Sequence, residues 1–172
     1  MNTLKISNIL LVLLFSGSCR DKEPAPTETE RFYCEIDGER YRTNNRGDIF
    51  NEVLIADWYK TNSSFTLSAY NSVTYKDHLL YIKLEKNKLE PKYYKVDSLT
   101  VNASYFGGYI KINGRSVEED FRSIVNSGFI EITKVDTLSR RVSGKFEYDV
   151  RSNINTSKIV KIRKGQFNNL RY

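Results

Sequence analysis

Few side chains in this 172-residue chain could make or break bonds. It contains one histidine, His78, and two cysteines, Cys19 and Cys34. A cysteine nucleophile needs a neighbouring base, and His78 falls on a different predicted strand from Cys34. Cys34 therefore reads as a small buried hydrophobe in an alternating strand. A single histidine excludes multi-histidine metal centres. No G-x-S-x-G, H-E-x-x-H or P-loop is present to support a triad, a zinc protease or a nucleotide site. Carboxylate pairs remain, because glycoside hydrolysis needs only two acids about 5–9.5 Å apart. Asp48, Glu52 and Asp57 lie close together, and Glu118, Glu119 and Asp120 adjoin. Acids in loops are ordinarily solvated charges, so the expectation is a protein that is not an enzyme and holds no cofactor and no metal.

Aromatic side chains suggest binding instead. Trp58 and Tyr59 stand beside a polar loop, 60–63, and Tyr93-Tyr94 and Tyr105-Phe106 begin or end strands. Exposed rings on a β platform can stack on sugar faces, and Trp58 and Tyr59 are the candidate ligand-binding residues. Trp and Tyr also fill cores, and adjacent residues of a strand face opposite ways, so only one ring of each pair can serve one face. For Trp58 core packing is the weightier reading. Basic residues gather late: between 134 and 172 there are ten Lys or Arg against three acids, within a net charge of +6. Such an end can attract phosphates or acidic polymers, although solvated strand faces are the weightier reading.

The elements that position these residues read as strands almost throughout. Residues 32–36 alternate, with Phe32, Cys34 and Ile36 on one face, and Asp37-Gly38 is a two-residue type I′ hairpin signal. That turn sets Cys34 opposite Tyr41 and Glu35 opposite Arg40, joining apolar with apolar and opposite charges with each other. Further strands are expected at 52–59, 64–70, 78–84, 92–96, 100–106, 109–112, 128–135, 141–151 and 157–163. Abundant Tyr, Phe, Val, Ile and Thr, closely spaced turns and no long helical period predict an all-β fold: a single antiparallel β-sandwich or barrel-like domain. One short helix over 116–125 competes with a hairpin there. Ser116-Val117-Glu118-Glu119 fits a capping box, while Asn113-Gly114 is a hairpin turn. Gly144 inside a strand predicts a bulge or a close backbone approach.

The N-terminus carries an address. Residues 1–8 are polar with one charge, Lys5, and 9–15 (ILLVLLF) are continuously apolar before Ser16-Gly17-Ser18. A spanning helix needs about 20 apolar residues, so this short run reads as a secretory signal peptide. Residues 20–30 (RDKEPAPTETE) have no large apolar side chain and cannot fold alone. The expected organisation is a signal peptide at 1–18, an anchored tether at 19–30 and a β domain at 31–172. An exported protein rarely meets nucleic acid, so none is expected as a partner.

Gly17-Ser18-Cys19 resembles the lipobox of bacterial lipoproteins, in which the cysteine receives a diacylglyceryl thioether and, after cleavage, a further acyl chain such as palmitate on its amine. Ser16 departs from the pattern, where leucine is usual. The rival is an ordinary cut after Ser18 that releases a soluble protein. Arg20, in place of the aspartate that often marks inner-membrane retention, favours the outer membrane. Two hairpin segments extend the resemblance. One is Cys34 to Gly38; the other runs from Gly128-Phe129-Ile130-Glu131-Ile132-Thr133 to Asp136, continues with Ser143-Gly144-Lys145-Phe146-Glu147-Tyr148, and closes with Lys164-Gly165-Gln166-Phe167. Together they are similar to a family of small Gram-negative lipoproteins of unknown function. That resemblance implies an envelope lipoprotein, held to the membrane through Cys19, that binds a glycan or envelope ligand or docks another envelope protein. It supplies no catalytic residues. Asp97-Ser98-Leu99 and Asp136-Thr137-Leu138 also resemble a short bacterial O-glycosylation acceptor, at Ser98 and Thr137.

Overall fold

A computed structural model of the chain describes residues 31–41, 54–61, 63–71, 78–86, 88–97, 101–113 and 115–172. It is all-β and antiparallel. The strands are β1 (Phe32–Ile36), β2 (Glu39–Tyr41), β3 (Leu54–Tyr59), β4 (Ser64–Asn71), β5 (His78–Glu85), β6 (Lys92–Lys95), β7 (Val101–Ile112), β8 (Arg115–Ser123), β9 (Phe129–Asp136), β10 (Arg141–Ser152) and β11 (Ile159–Arg171). They form one sheet in the order β2-β1-β11-β10-β8-β7-β5-β4-β3, with β9 on β10 and β6 on β9. The long β10 serves two neighbours along one edge. Its 141–147 segment pairs β9 and its 150–152 segment pairs β8.

The sheet curls into a half-barrel, because its apolar face must be covered and among the described residues no second layer supplies the cover. Strands far apart in the sheet order therefore meet. The Tyr41 hydroxyl on β2 donates to the Ala69 carbonyl on β4 at 2.9 Å, and the Phe65 and Phe167 rings stack with centroids 6.3 Å apart. Tyr148, Phe65, Phe121, Phe146 and Phe167 lead a fully buried interior.

Bulges on β11 assist the bend. Lys164 and Asn169 take φ of 51° and 54° where the register with β10 slips. Both strained residues are held: the Lys164 amide donates to Glu147 Oε1 at 3.0 Å and the Asn169 amide to Ser143 Oγ at 2.9 Å. Between these bulges two glycines face two rings across the β10–β11 ladder, Gly144 opposite Phe167 and Gly165 opposite Phe146. A Cβ on Gly144 would lie 2.4 Å from Phe167 Cζ, and one on Gly165 would lie 2.4 Å from Phe146. Each ring thus occupies the space that a side chain on its partner would need.

The first hairpin forms in the expected register, Cys34 opposite Tyr41 and Glu35 opposite Arg40, with Asp37 and Gly38 both at positive φ. One open alternative is decided and two expectations are revised. Residues 116–125 form no helix: 115–123 are β8, paired to β7 behind Asn113 at φ 49°. Strand alternation wins because Phe121 reaches the interior, while Glu119, beside it on the same face, finds polar partners. The separate strands 100–106 and 109–112 are one strand, β7, with a register shift at Gly107-Gly108. The last strand continues from 163 to Arg171.

Candidate functional site

The curl leaves an outer face on which successive strands place residues in rows. One row can be followed through the pairing register across seven strands: Ile55, Ser68, Tyr81, Ser104, Arg122, Arg151 and Ile159. Two stations along it combine exposure with hydrogen-bonding or charged groups.

The first lies on β3 to β5. Trp58 turns inward, opposite Phe65, and packs against the core, while Tyr59 turns outward and is 47 % exposed. The two candidate residues therefore serve opposite faces, and only Tyr59 stands on the open one. Its hydroxyl donates to Asp57 Oδ2 at 3.4 Å. Two strands away, Lys83 and Glu85 pair at 2.5 Å. Burial raises the Tyr81 phenol above its ordinary pKa; Lys83 opposes the rise, and Tyr59 and Glu85 add to it. The register sets Tyr59 in line with Glu85 through Ser64, and alternation along β5 puts Tyr81, Lys83 and Glu85 on that same face. The station offers two phenols flanked by an acid and an ion pair, a set able to stack on a sugar ring and to bond its hydroxyls.

The second lies where β8 leaves β10. Arg122, Ser123, Ile124, Val125, Arg151, Ser152 and Asn153 line an open groove of about 370 Å³. Its lip is fixed by Glu119, a carboxylate only 4 % exposed. Ser152 Oγ donates to Glu119 Oε1 at 3.0 Å and Lys158 Nζ to Oε2 at 2.7 Å. Ser152 Oγ also accepts from the Ile154 and Asn155 amides, so the loop after β10 is tied to β8. Beyond Ser152 the pairing is prolonged by the Asn153 amide donating to the Asp120 carbonyl and the Asp120 amide to Asn153 Oδ1. Sequence reasoning did not single out Arg122, Arg151 or Tyr81. Their only signal was membership of outward-facing positions, which needs the register to be read.

The other candidates fall elsewhere. Cys34 is fully buried, and burial pushes its thiol far above the ordinary range, the opposite of what a nucleophile requires. Glu118 and Asp120 alternate with Glu119 along β8, so the buried acid points away from its two neighbours. Asp57 is on the outer face of β3; Asp48 and Glu52 lie outside the described residues, as do Cys19, the signal segment and Ser98. Among the described residues no three His, Cys, Asp or Glu side chains gather as a metal site. Thr137 sits in the exposed β9–β10 turn, which Asp136 Oδ1 organises by accepting from the Leu138 and Ser139 amides at 3.0 Å. Tyr94 is buried and Tyr93 exposed, the latter stacked on Phe129 at 5.1 Å.

No protein family matches this chain, and neither a curated protein nor a solved structure does.

Proposed function

We propose that the protein is a cell-envelope lipoprotein, held to the bacterial outer membrane by acyl chains on Cys19, whose β domain is a non-enzymatic module that binds a glycan. The observation that carries the binding half is the outer face of β3 to β5, where Tyr59 is 47 % exposed beside Asp57, Tyr81, Lys83 and Glu85. A ring with polar neighbours at its edge suits a sugar, which has an apolar face and a rim of hydroxyls. The interior does not compete for this role, because side chains fill it. The anchoring half rests on the lipobox-like segment. About 0.8 kcal/mol per buried methylene means that several chains on one cysteine hold a water-soluble domain durably.

A glycan array probed with the full chain tests the binding half. Signal on a defined group of sugars that is lost in Tyr59→Ala and Tyr81→Ala, and kept in Tyr93→Ala, supports it. A blank array, or signal indifferent to Tyr59 and Tyr81, contradicts it.

A second reading, docking to another outer-membrane protein, is favoured by β3. It ends the strand order, so one of its edges is open among the described residues, with Ile55 and Tyr59 exposed along it. Affinity purification from detergent-solubilised envelopes that yields one stoichiometric partner would select it.

A further inference from the structure

We infer that Arg122 and Arg151 form an anion station on the outer face, and that the glycan bound there carries an acidic group, a carboxylate or a phosphate. The class of sugar rests on the glycan-binding reading above; the station itself rests on the arginine pair alone. Arg122 and Arg151 are direct cross-strand partners, both exposed, and both line the groove at the β8–β10 seam. Like charges placed opposite each other destabilise a sheet. Five other cations of the domain are partnered: Lys158 on Glu119, Arg163 on Asp149, Lys164 on Glu35, Lys83 on Glu85, and Arg141 on the Asn169 carbonyl. Among the described residues neither Arg122 nor Arg151 forms an ion pair or side-chain hydrogen bond. The pair is an electrostatic deficit that one anion between the two guanidiniums would correct, each presenting the planar fork that suits carboxylate or phosphate.

The surroundings fit a ligand rather than bulk ions. The groove's 370 Å³ falls within the range of about 300–1,000 Å³ seen in small-molecule sites. Ile124 and Val125, the latter 51 % exposed, supply an apolar wall. The groove is rigidly framed, since the Glu119–Ser152–Lys158 contacts and the Asn153–Asp120 bonds hold both of its sides. Tyr81 and Arg122 stand two strand spacings apart in one row, about 10 Å at roughly 4.8 Å per strand. One short oligosaccharide can therefore lie along the row with a ring at Tyr81 and its acid at the arginines.

Calorimetric titration of the full chain with tri-galacturonate, with its methyl ester, in which each acid is capped, and with inorganic phosphate tests this. The acid should bind at least tenfold more tightly than the ester, with the advantage shrinking as salt rises. Arg122→Gln and Arg151→Gln should each erase that advantage. Without ligand both variants should melt at or above the wild-type temperature, which separates lost binding from lost folding. Equal affinity for acid and ester, or arginine variants that bind the acid normally, overturns the proposal even where neutral sugars bind and the glycan reading survives. Phosphate binding that either arginine variant abolishes, with no saccharide bound, supports the station and contradicts the glycan.

Discussion

Tyr148 is fully buried on β10, and among the described residues its hydroxyl has no hydrogen-bond partner. Burial drives its phenol well above the ordinary range, so it stays neutral. An unpaired buried hydroxyl costs about 1–3 kcal/mol, so Tyr148→Phe should stabilise the domain by on the order of 1 kcal/mol in urea melts; a destabilised variant would reveal a partner for the hydroxyl. Glu35 shows the converse. The Lys164 ammonium, 2.8 Å from Glu35 Oε1, is the main cause holding that carboxyl below the ordinary glutamate range. A depressed carboxylate pKa adds stability above the unfolded-state value and loses it as pH falls through the folded one. Lys164→Gln should thus be less stable than wild type near neutrality, and the gap should close on acidification. A gap that stays constant with pH would assign the loss to the bulge rather than to the pair. Trp58 and Tyr59 divide similarly. Trp58→Ala should cost about 2 kcal/mol through lost packing, and Tyr59→Ala less than about 0.5 kcal/mol, although only Tyr59 belongs to the proposed sugar face.

At the scale of elements, the β10–β11 hairpin carries the most consequence. Gly144 would place a Cβ 2.4 Å from both the Glu131 carbonyl oxygen and Phe167 Cζ. Gly144→Ala should therefore cost at least about 1–3 kcal/mol through overpacking, seen as a lowered urea midpoint. A midpoint within error of wild type would mean that the ring can move aside. Gly144, Phe146, Gly165 and Phe167 are the residues that interlock ring over glycine. Much of this level was legible beforehand. Asp37-Gly38 and its flanking pairs set the first hairpin, and Gly144 announced the bulge and close approach. Residues 116–125 stayed open through local ambiguity: Val117, Phe121 and Ile124 satisfy a helical period while Val117, Glu119 and Phe121 satisfy a strand. An acid in an inward place argues against the strand until Ser152 and Lys158, distant in sequence, are seen beside it. The final strand was cut short because αL residues at Lys164 and Asn169 interrupt its alternation. The arginine station was illegible for a related reason, since Arg122 and Arg151 become neighbours only through pairing.

At the scale of the molecule, one curled sheet spends its inner face on a filled core and leaves its outer face to solvent. On the proposed reading such a domain would meet its glycan with the convex side. Its working geometry then depends on being held near the envelope polymers it would bind, which is the task assigned to Cys19 and the 20–30 tether. Mass spectrometry of the N-terminal peptide from protein purified out of native envelopes tests that assignment. The account predicts a chain that begins at Cys19 and carries the mass of a diacylglyceryl thioether plus an amide-linked acyl chain, replaced in Cys19→Ser by an unacylated N-terminus. A native peptide beginning at an unmodified Cys19 would contradict it.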